Sequence, residues 1–304
     1  MRWNCRPVAV EEISFVFVLP KRLVCPTAPA AITAAVCVMA TWIAGANYPA
    51  AAQSRLEAEY IASVSGIPIG RGNWVIEVTD DQFRASANGA TWGLLRVFSN
   101  ARGISTSRGV FSGGQAMATD YAATIDYNRV IDDVHMVLAG GNVKDYSVEP
   151  PPQARPDRIP ITDADRRGVN DPMTSAISRV GGTGDVLSPD ICNRKIAVFD
   201  GRVRYDLSGE YKRMETVKAD KGYEGPVVVC AIYFKPIAGY VPDRQAIKYL
   251  VAQRDAEVWL APIGGTRVLV PFRVSVPTPI GKGVLQATEF VSVAHSAHST
   301  AKTQ

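Results

Sequence analysis

From residue 54 onward the chain alternates apolar and polar side chains. Leu56, Ala58, Tyr60, Ala62 and Val64 are separated by Glu57, Glu59, Ile61 and Ser63. A period of two gives a strand one buried face. The pattern returns at 73–78, 83–87, 93–99, 104–111, 117–127, 130–138 and 143–148. Turn-forming residues divide these runs: Gly66-Ile67-Pro68-Ile69-Gly70, Thr79-Asp80-Asp81-Gln82, Asn88-Gly89 and Asn100-Ala101-Arg102-Gly103. Asn-Gly accepts the positive φ of a tight hairpin turn. Turn signals recurring about every 8–12 residues predict an all-β barrel or sandwich.

Residues 149–170 interrupt the alternation with Pro150, Pro151, Pro152, Pro156 and Pro160 and read as a long crossover. Asp171-Pro172 then predicts the start of a helix over 173–179, because Asp accepts the free amides at an N-cap and Pro suits the first turn. A second block of strands is predicted at 195–207, 211–218, 226–234, 257–262, 267–276 and 284–290, with a helix over 243–253. In 195–207 the pair Asp200-Gly201 predicts a two-residue hairpin turn. Past it, Val203, Tyr205 and Leu207 share one face, and Arg202, Arg204 and Asp206 the other. The expected fold is mainly β. It is a single domain over 53–291, an antiparallel meander forming a barrel or strongly curved half-barrel with two short helices, followed by a disordered tail over 292–304. Pro68-Ile69-Gly70-Arg71-Gly72 is echoed by Pro279-Ile280-Gly281-Lys282-Gly283, either a duplicated hairpin or a coincidence of turn-prone residues.

The first fifty residues change the picture. Lys21 and Arg22 precede an uncharged apolar run over 30–46, followed by small residues, the order of a secretory signal peptide. The expected cut lies between Ala52 and Gln53, and a translation start nearer Lys21 would give the leader its usual length. The alternative is a retained anchor, since about 17–25 apolar residues span a bilayer. The whole chain has 304 residues and a formal charge of +4; without 1–52 the charge falls to +2. That is too weak a field to suggest nucleic acid. Membrane contact is expected only through a leader that stays attached. Of five cysteines, Cys5, Cys25 and Cys37 leave with the leader. Cys192 and Cys230 remain, and export favours a disulfide between them over two buried free thiols.

Chemistry is sparse. There is no G-x-S-x-G, P-loop, C-x-x-C or H-E-x-x-H motif. His135 stands alone on a strand, and His295 and His298 fall in the tail. The acidic pairs Asp80-Asp81, Asp132-Asp133 and Asp163/Asp165 sit at or near predicted turns, where Asp is favoured for backbone reasons. No catalytic residue, metal site or cofactor is therefore expected. Arg202 and Arg204 are candidate anion-binding residues, with a solvated strand face as the alternative. Tyr60, Trp74, Trp92, Phe199, Tyr205, Trp259 and Phe272 either fill a core or line an apolar ligand cavity.

Several phrases carry a resemblance. Gly66-Ile67-Pro68-Ile69-Gly70, Asp171-Pro172-Met173-Thr174-Ser175-Ala176, the run from Val198 to Leu207, Pro236-Ile237-Ala238-Gly239-Tyr240 and Glu257-Val258-Trp259-Leu260-Ala261-Pro262 occur in order. Together they resemble the exported bacterial proteins grouped as domain of unknown function 3108. The resemblance implies a periplasmic β-rich protein and supplies no catalytic residues. The architecture is also similar to that of LolA/LolB-type lipoprotein carriers, a fold analogy only. The function expected is a periplasmic, non-enzymatic carrier or binding protein for an apolar or amphiphilic envelope component, with a lipid or lipoprotein as ligand. The alternatives are a structural protein with an envelope protein partner, and a hydrolase with an unfamiliar site.

Overall fold

A computed structural model describes residues 54–294, apart from 94, 95, 97–99 and 129. The predicted leader with its Ala52/Gln53 cleavage site, and the tail from His295, lie outside the described residues. The first half is a meander of β1 (Ser54–Val64), β2 (Ile67–Val78), β3 (Gln82–Thr91), β4 (Ala101–Ser112), β5 (Gln115–Tyr127), β6 (Val130–Ala139) and β7 (Asn142–Glu149). The crossover leads to α1 (Pro172–Ser175), β8 (Ser178–Arg179), β9 (Lys195–Phe199), β10 (Arg204–Lys218), β11 (Lys221–Gly222) and β12 (Glu224–Ala238). Then follow α2 (Gln245–Ala252), β13 (Glu257–Pro262), β14 (Val268–Thr278) and β15 (Gly281–Ala294).

All fifteen strands belong to one sheet, whose main path runs β7-β6-β5-β4-β3-β2-β1-β15-β14-β13-β12-β10-β9. The sheet curls without closing, and the crossover bridges its two ends. Val169 N donates to Gly141 O in the β6–β7 turn (2.7 Å), and Asn170 N to Ala197 O of β9 (2.9 Å). Phe199 N returns a bond to Asn170 O (2.9 Å). Backbone groups at both sheet edges thus find partners, which an exposed edge would lack.

The concave face is packed. Leu56, Ile76, Phe83, Met136, Phe272 and Phe290 are fully buried in one cluster, joined by Met173 and Ile177 from the chain around α1. That chain plugs the interior. Asp171 is completely buried and accepts from Met173 N (2.8 Å) and Thr174 N (2.9 Å), capping α1 as the sequence predicts. Its other oxygen accepts from Ser107 of β4 (3.0 Å) and from the Thr174 hydroxyl (2.5 Å). Burial pushes this carboxyl above its ordinary range, and the four bonds oppose that shift. A smaller cluster on the opposite face joins Ile191, Val228, Val258, Leu260 and Leu269 around the Cys192–Cys230 disulfide.

Four local expectations are corrected. The helix predicted over 173–179 is one turn, because Ser178 and Arg179 pair with Leu269 and Val268 of β14. Asn88-Gly89 makes no turn; both residues lie inside β3, paired on each side. The turn after β1 is Ser65-Gly66 alone, both at positive φ, so residues 67–70 are already strand. At 195–207, Phe199 pairs with Arg204, leaving a four-residue loop rather than two. The Asp200 carboxylate holds that loop by accepting from Arg202 N (2.8 Å) and Val203 N (2.6 Å). Beyond these, Gly93 and Arg96, from the strand predicted at 93–99, are not in a strand, and β15 runs on to Ala294, past the expected start of the tail.

Candidate functional site

Of the two roles open to the aromatics, the structure gives most of them the core. Tyr60, Trp74, Phe199, Trp259 and Phe272 are buried. The Tyr60 hydroxyl donates to Pro271 O (2.6 Å), and Trp259 Nε1 donates to Glu215 (2.7 Å). Phe272 packs against Phe290 at 5.6 Å, Phe199 meets Tyr146 edge-on at 5.9 Å, and Tyr205 lies tilted against Phe234 at 5.5 Å. Burial pushes the Tyr60 and Tyr205 hydroxyls well above the usual tyrosine range. Trp92 is the exception and remains exposed beyond the end of β3.

The two candidate arginines are held by different carboxylates. Arg202 turns inward to pair with the buried Asp132 and also donates to Pro150 O (3.1 Å). Arg204 donates to Asp206 (2.6 Å). Likewise, His135 Nε2 lies 3.4 Å from Asp120 at the surface, and Asp133 accepts from the Thr124 hydroxyl. No group of three or more His, Cys, Asp or Glu side chains converges as a metal site among the described residues.

A site with binding geometry lies on the opposite face from the core. Cross-strand register aligns two rows of outward side chains. One runs Glu59–Asn73–Asn88–Ile104–Thr124–Asp133, and the other Ile61–Arg71–Ala90–Arg102–Asp126–Ile131. Alternation fixes their direction, because Trp74, Ala87, Ser105 and Ala123 are paired in the intervening register and belong to the inner face. The rows stand two residues apart along each strand, about 7 Å, and cross six strands over roughly 24 Å.

Between them Gly72, Gly89 and Gly103 lie directly opposite one another on β2, β3 and β4. A Cβ on Gly72 would come within 2.4 Å of Asn88 O, so the sheet bends there more sharply than a side chain permits. A cavity of about 1000 Å³ follows this line, with the three glycines, Trp92, Thr288 and all of both rows except Asp133 in its lining. Ile61, Ala90, Ile104, Ile131 and Trp92 supply apolar surface, and Asn73 and Asn88 supply amides. Arg102 pairs with Asp126 (2.8 Å). Arg71 is exposed and has no ion pair among the described residues. The arrangement suits an elongated molecule with apolar length and an acidic group.

The glycine row was hidden in the sequence by turn chemistry. Asn88-Gly89 and Arg102-Gly103 look like turns when read locally. The available signal was a glycine in the same parity within three consecutive strands, the mark of a bend in a sheet.

Among curated proteins, none matches this sequence. A crystal structure of a beta-barrel-like protein of domain of unknown function DUF1849 from Brucella abortus is similar over 81% of this chain and 98% of its own, at 8% identity and a TM-score of 0.44. The family model described as protein of unknown function (DUF3108) matches residues 59–288, more than half of the chain and nearly all of the sheet. The chain belongs to the DUF3108 family.

Proposed function

We propose that this is an exported, periplasmic, non-enzymatic binding protein of the cell envelope, and that its ligand is an amphiphile lying across β2–β5 on the outer face. The observation that carries the reading is the glycine-floored groove between two registered rows. A concave site with apolar walls and a few placed polar groups is the usual form of a small-molecule site. Arg71 is placed to meet an acidic group, while Ile61, Ile104 and Ile131 would cover apolar length. The curled interior is packed by its own side chains and by α1, so the outer groove replaces the interior cavity as the site.

Lipid extraction and mass spectrometry of the purified protein test the reading, together with uptake of a fluorescent fatty acid. An Ala90→Trp variant places a bulky ring between the rows and is expected to abolish uptake with no loss of stability, since Ala90 is exposed. No co-purifying amphiphile and no uptake, or uptake unchanged by Ala90→Trp, overturns it.

The packed interior also favours a second reading, a structural protein with an envelope protein partner. Crosslinking to one defined protein, with no retained amphiphile, would support that instead.

A further inference from the structure

The four most exposed large apolar side chains among the described residues are Ile280 (78%), Val130 (60%), Ile131 (56%) and Ile67 (55%). They are far apart in sequence and share one end of the sheet. β1, β3, β5 and β14 all run toward that end, which carries the turns β1–β2, β5–β6 and β14–β15. Ile67 and Val130-Ile131 begin the strands that leave two of these turns, and Ile280 is in the third. Trp92 follows β3 at the same rim, its N–H bonded to Ile69 O (2.9 Å).

Two of the tips are locked together. Ser65 N donates to Lys282 O (2.9 Å), and the Ser65 hydroxyl to Ile280 O (2.9 Å). The turns that carry Ile67 and Ile280 are therefore bonded to each other. The opposite end is built differently: its turns are Asp80-Asp81, Gly113-Gly114, Gly140-Gly141 and Gly264-Gly265. The four most exposed large apolar groups share one end; at the other the turns carry glycine and aspartate, and the exposed apolar groups Val293, Val110 and Val137 stand on the strands behind them.

Charge follows the same axis. Lys282 and Arg71 stand exposed behind the tips, with no ion pair among the described residues. Of the carboxylates in the two rows, Asp126 is held by Arg102 and Asp133 by the Thr124 hydroxyl, while Glu59 stands exposed on β1 beside the strand that carries Arg71. Arg71 lies four residues behind Ile67, roughly 13 Å along the strand. Apolar groups that enter an interface bury about 5–10 Å, which would leave Arg71 at the level of the phosphates.

We infer that this end of the sheet docks on a bilayer rich in anionic lipid, with Ile67, Ile280, Val130 and Ile131 inserted and Lys282 and Arg71 against the headgroups. Exposed apolar residues along one rim of the sheet, backed by cations, match that occupant. The groove opens at the same rim, through Trp92 and Ile131. The inference stands on the tips and does not require the groove to be occupied.

The test uses the full chain with Cys5, Cys25 and Cys37 changed to Ala and a polarity-sensitive fluorophore on Pro279→Cys. A second protein carries the probe on Ser112→Cys at the opposite end. With phosphatidylglycerol vesicles, position 279 should shift to the blue and brighten several-fold, while position 112 stays unchanged. Phosphatidylcholine vesicles should give a much smaller response. Adding I67D and I280D should abolish the response at 279; Ala90→Trp should leave it intact, which separates this test from that of the groove. No response at 279, an equal one at 112, or one that survives I67D/I280D overturns the inference. A response without vesicles that grows with protein concentration also overturns it, since a second copy would then be covering the tips.

Discussion

Arg202, in the loop between β9 and β10, is paired inside the fold with Asp132 of β6. The two side chains come from opposite ends of the sheet path, next to its two terminal strands. With the Arg202 bond to Pro150 O at the close of β7, they clasp the curl where no strand pairing closes it. A buried ion pair is a poor source of net stability, but removing one partner strands the other. Arg202→Met should therefore cost about 3–5 kcal/mol by taking the guanidinium away from a buried carboxylate. The double variant Arg202→Met/Asp132→Leu should recover most of that loss. Urea unfolding of the two variants decides the point; equal destabilisation would show that the pair's role is not electrostatic.

Glycine substitutions should separate by position along the same row. On Gly72 a Cβ meets backbone Asn88 O at 2.4 Å, a contact that cannot rotate away. On Gly89 the nearest atom, Arg71 O, is at 3.5 Å, ordinary van der Waals distance. Gly72→Ala should destabilise by about 1–3 kcal/mol through strain, and Gly89→Ala by less than about 1 kcal/mol. Urea midpoints check the ranking, and a larger effect at Gly89 would place the bend elsewhere.

What was legible in the sequence follows from how local each signal is. Leu56, Ala58 and Tyr60 are in the core because strand alternation depends only on neighbours. Asp171 caps α1 because its bonds span three residues. Asn88-Gly89 failed because pairing with β2 and β4 overrides a local turn preference. Alternation alone puts Arg202 on a strand face opposite Val203; the four-residue loop held by Asp200 takes it off the strand and brings it to a carboxylate 70 residues away. The groove was invisible for the same reason, since its rows exist only after six strands are placed in register.

The Cys192–Cys230 disulfide ties the short turn before β9 to β12 across a separation of 38 residues. In the chain-entropy model a loop of that size contributes roughly 3–4 kcal/mol by restricting the unfolded chain. Cys192→Ala/Cys230→Ala should lower the unfolding free energy by about that amount, and reductant should lower the wild type to the same value. Because the bridge is on the outer cluster, the variants should keep the groove and its uptake of fatty acid. A reductant effect on the double variant would mean that the loss comes from elsewhere.

A second charged cluster predicts the acid limb of stability. Glu257 of β13 accepts from Arg213 (3.0 Å) and Lys212 (2.6 Å) of β10, and Glu215 accepts from Arg213 and Trp259. The bonds from Arg213, then from Lys212, hold the Glu257 carboxyl down at about 2, against an ordinary value of 4.5. A depressed carboxylate stabilises the fold fully above its unfolded value and loses that contribution as the pH falls toward its folded value. The window here runs from about 4.5 down to about 2. Arg213 and Lys212 are partly solvated, so screening limits the contribution to about 1 kcal/mol. Glu257→Gln should accordingly cost about that much at neutral pH and flatten the decline of the unfolding midpoint across the window. An unchanged acid limb in Glu257→Gln would assign it instead to other carboxylates, among them Glu215, which Trp259 and Arg213 also hold below the usual range.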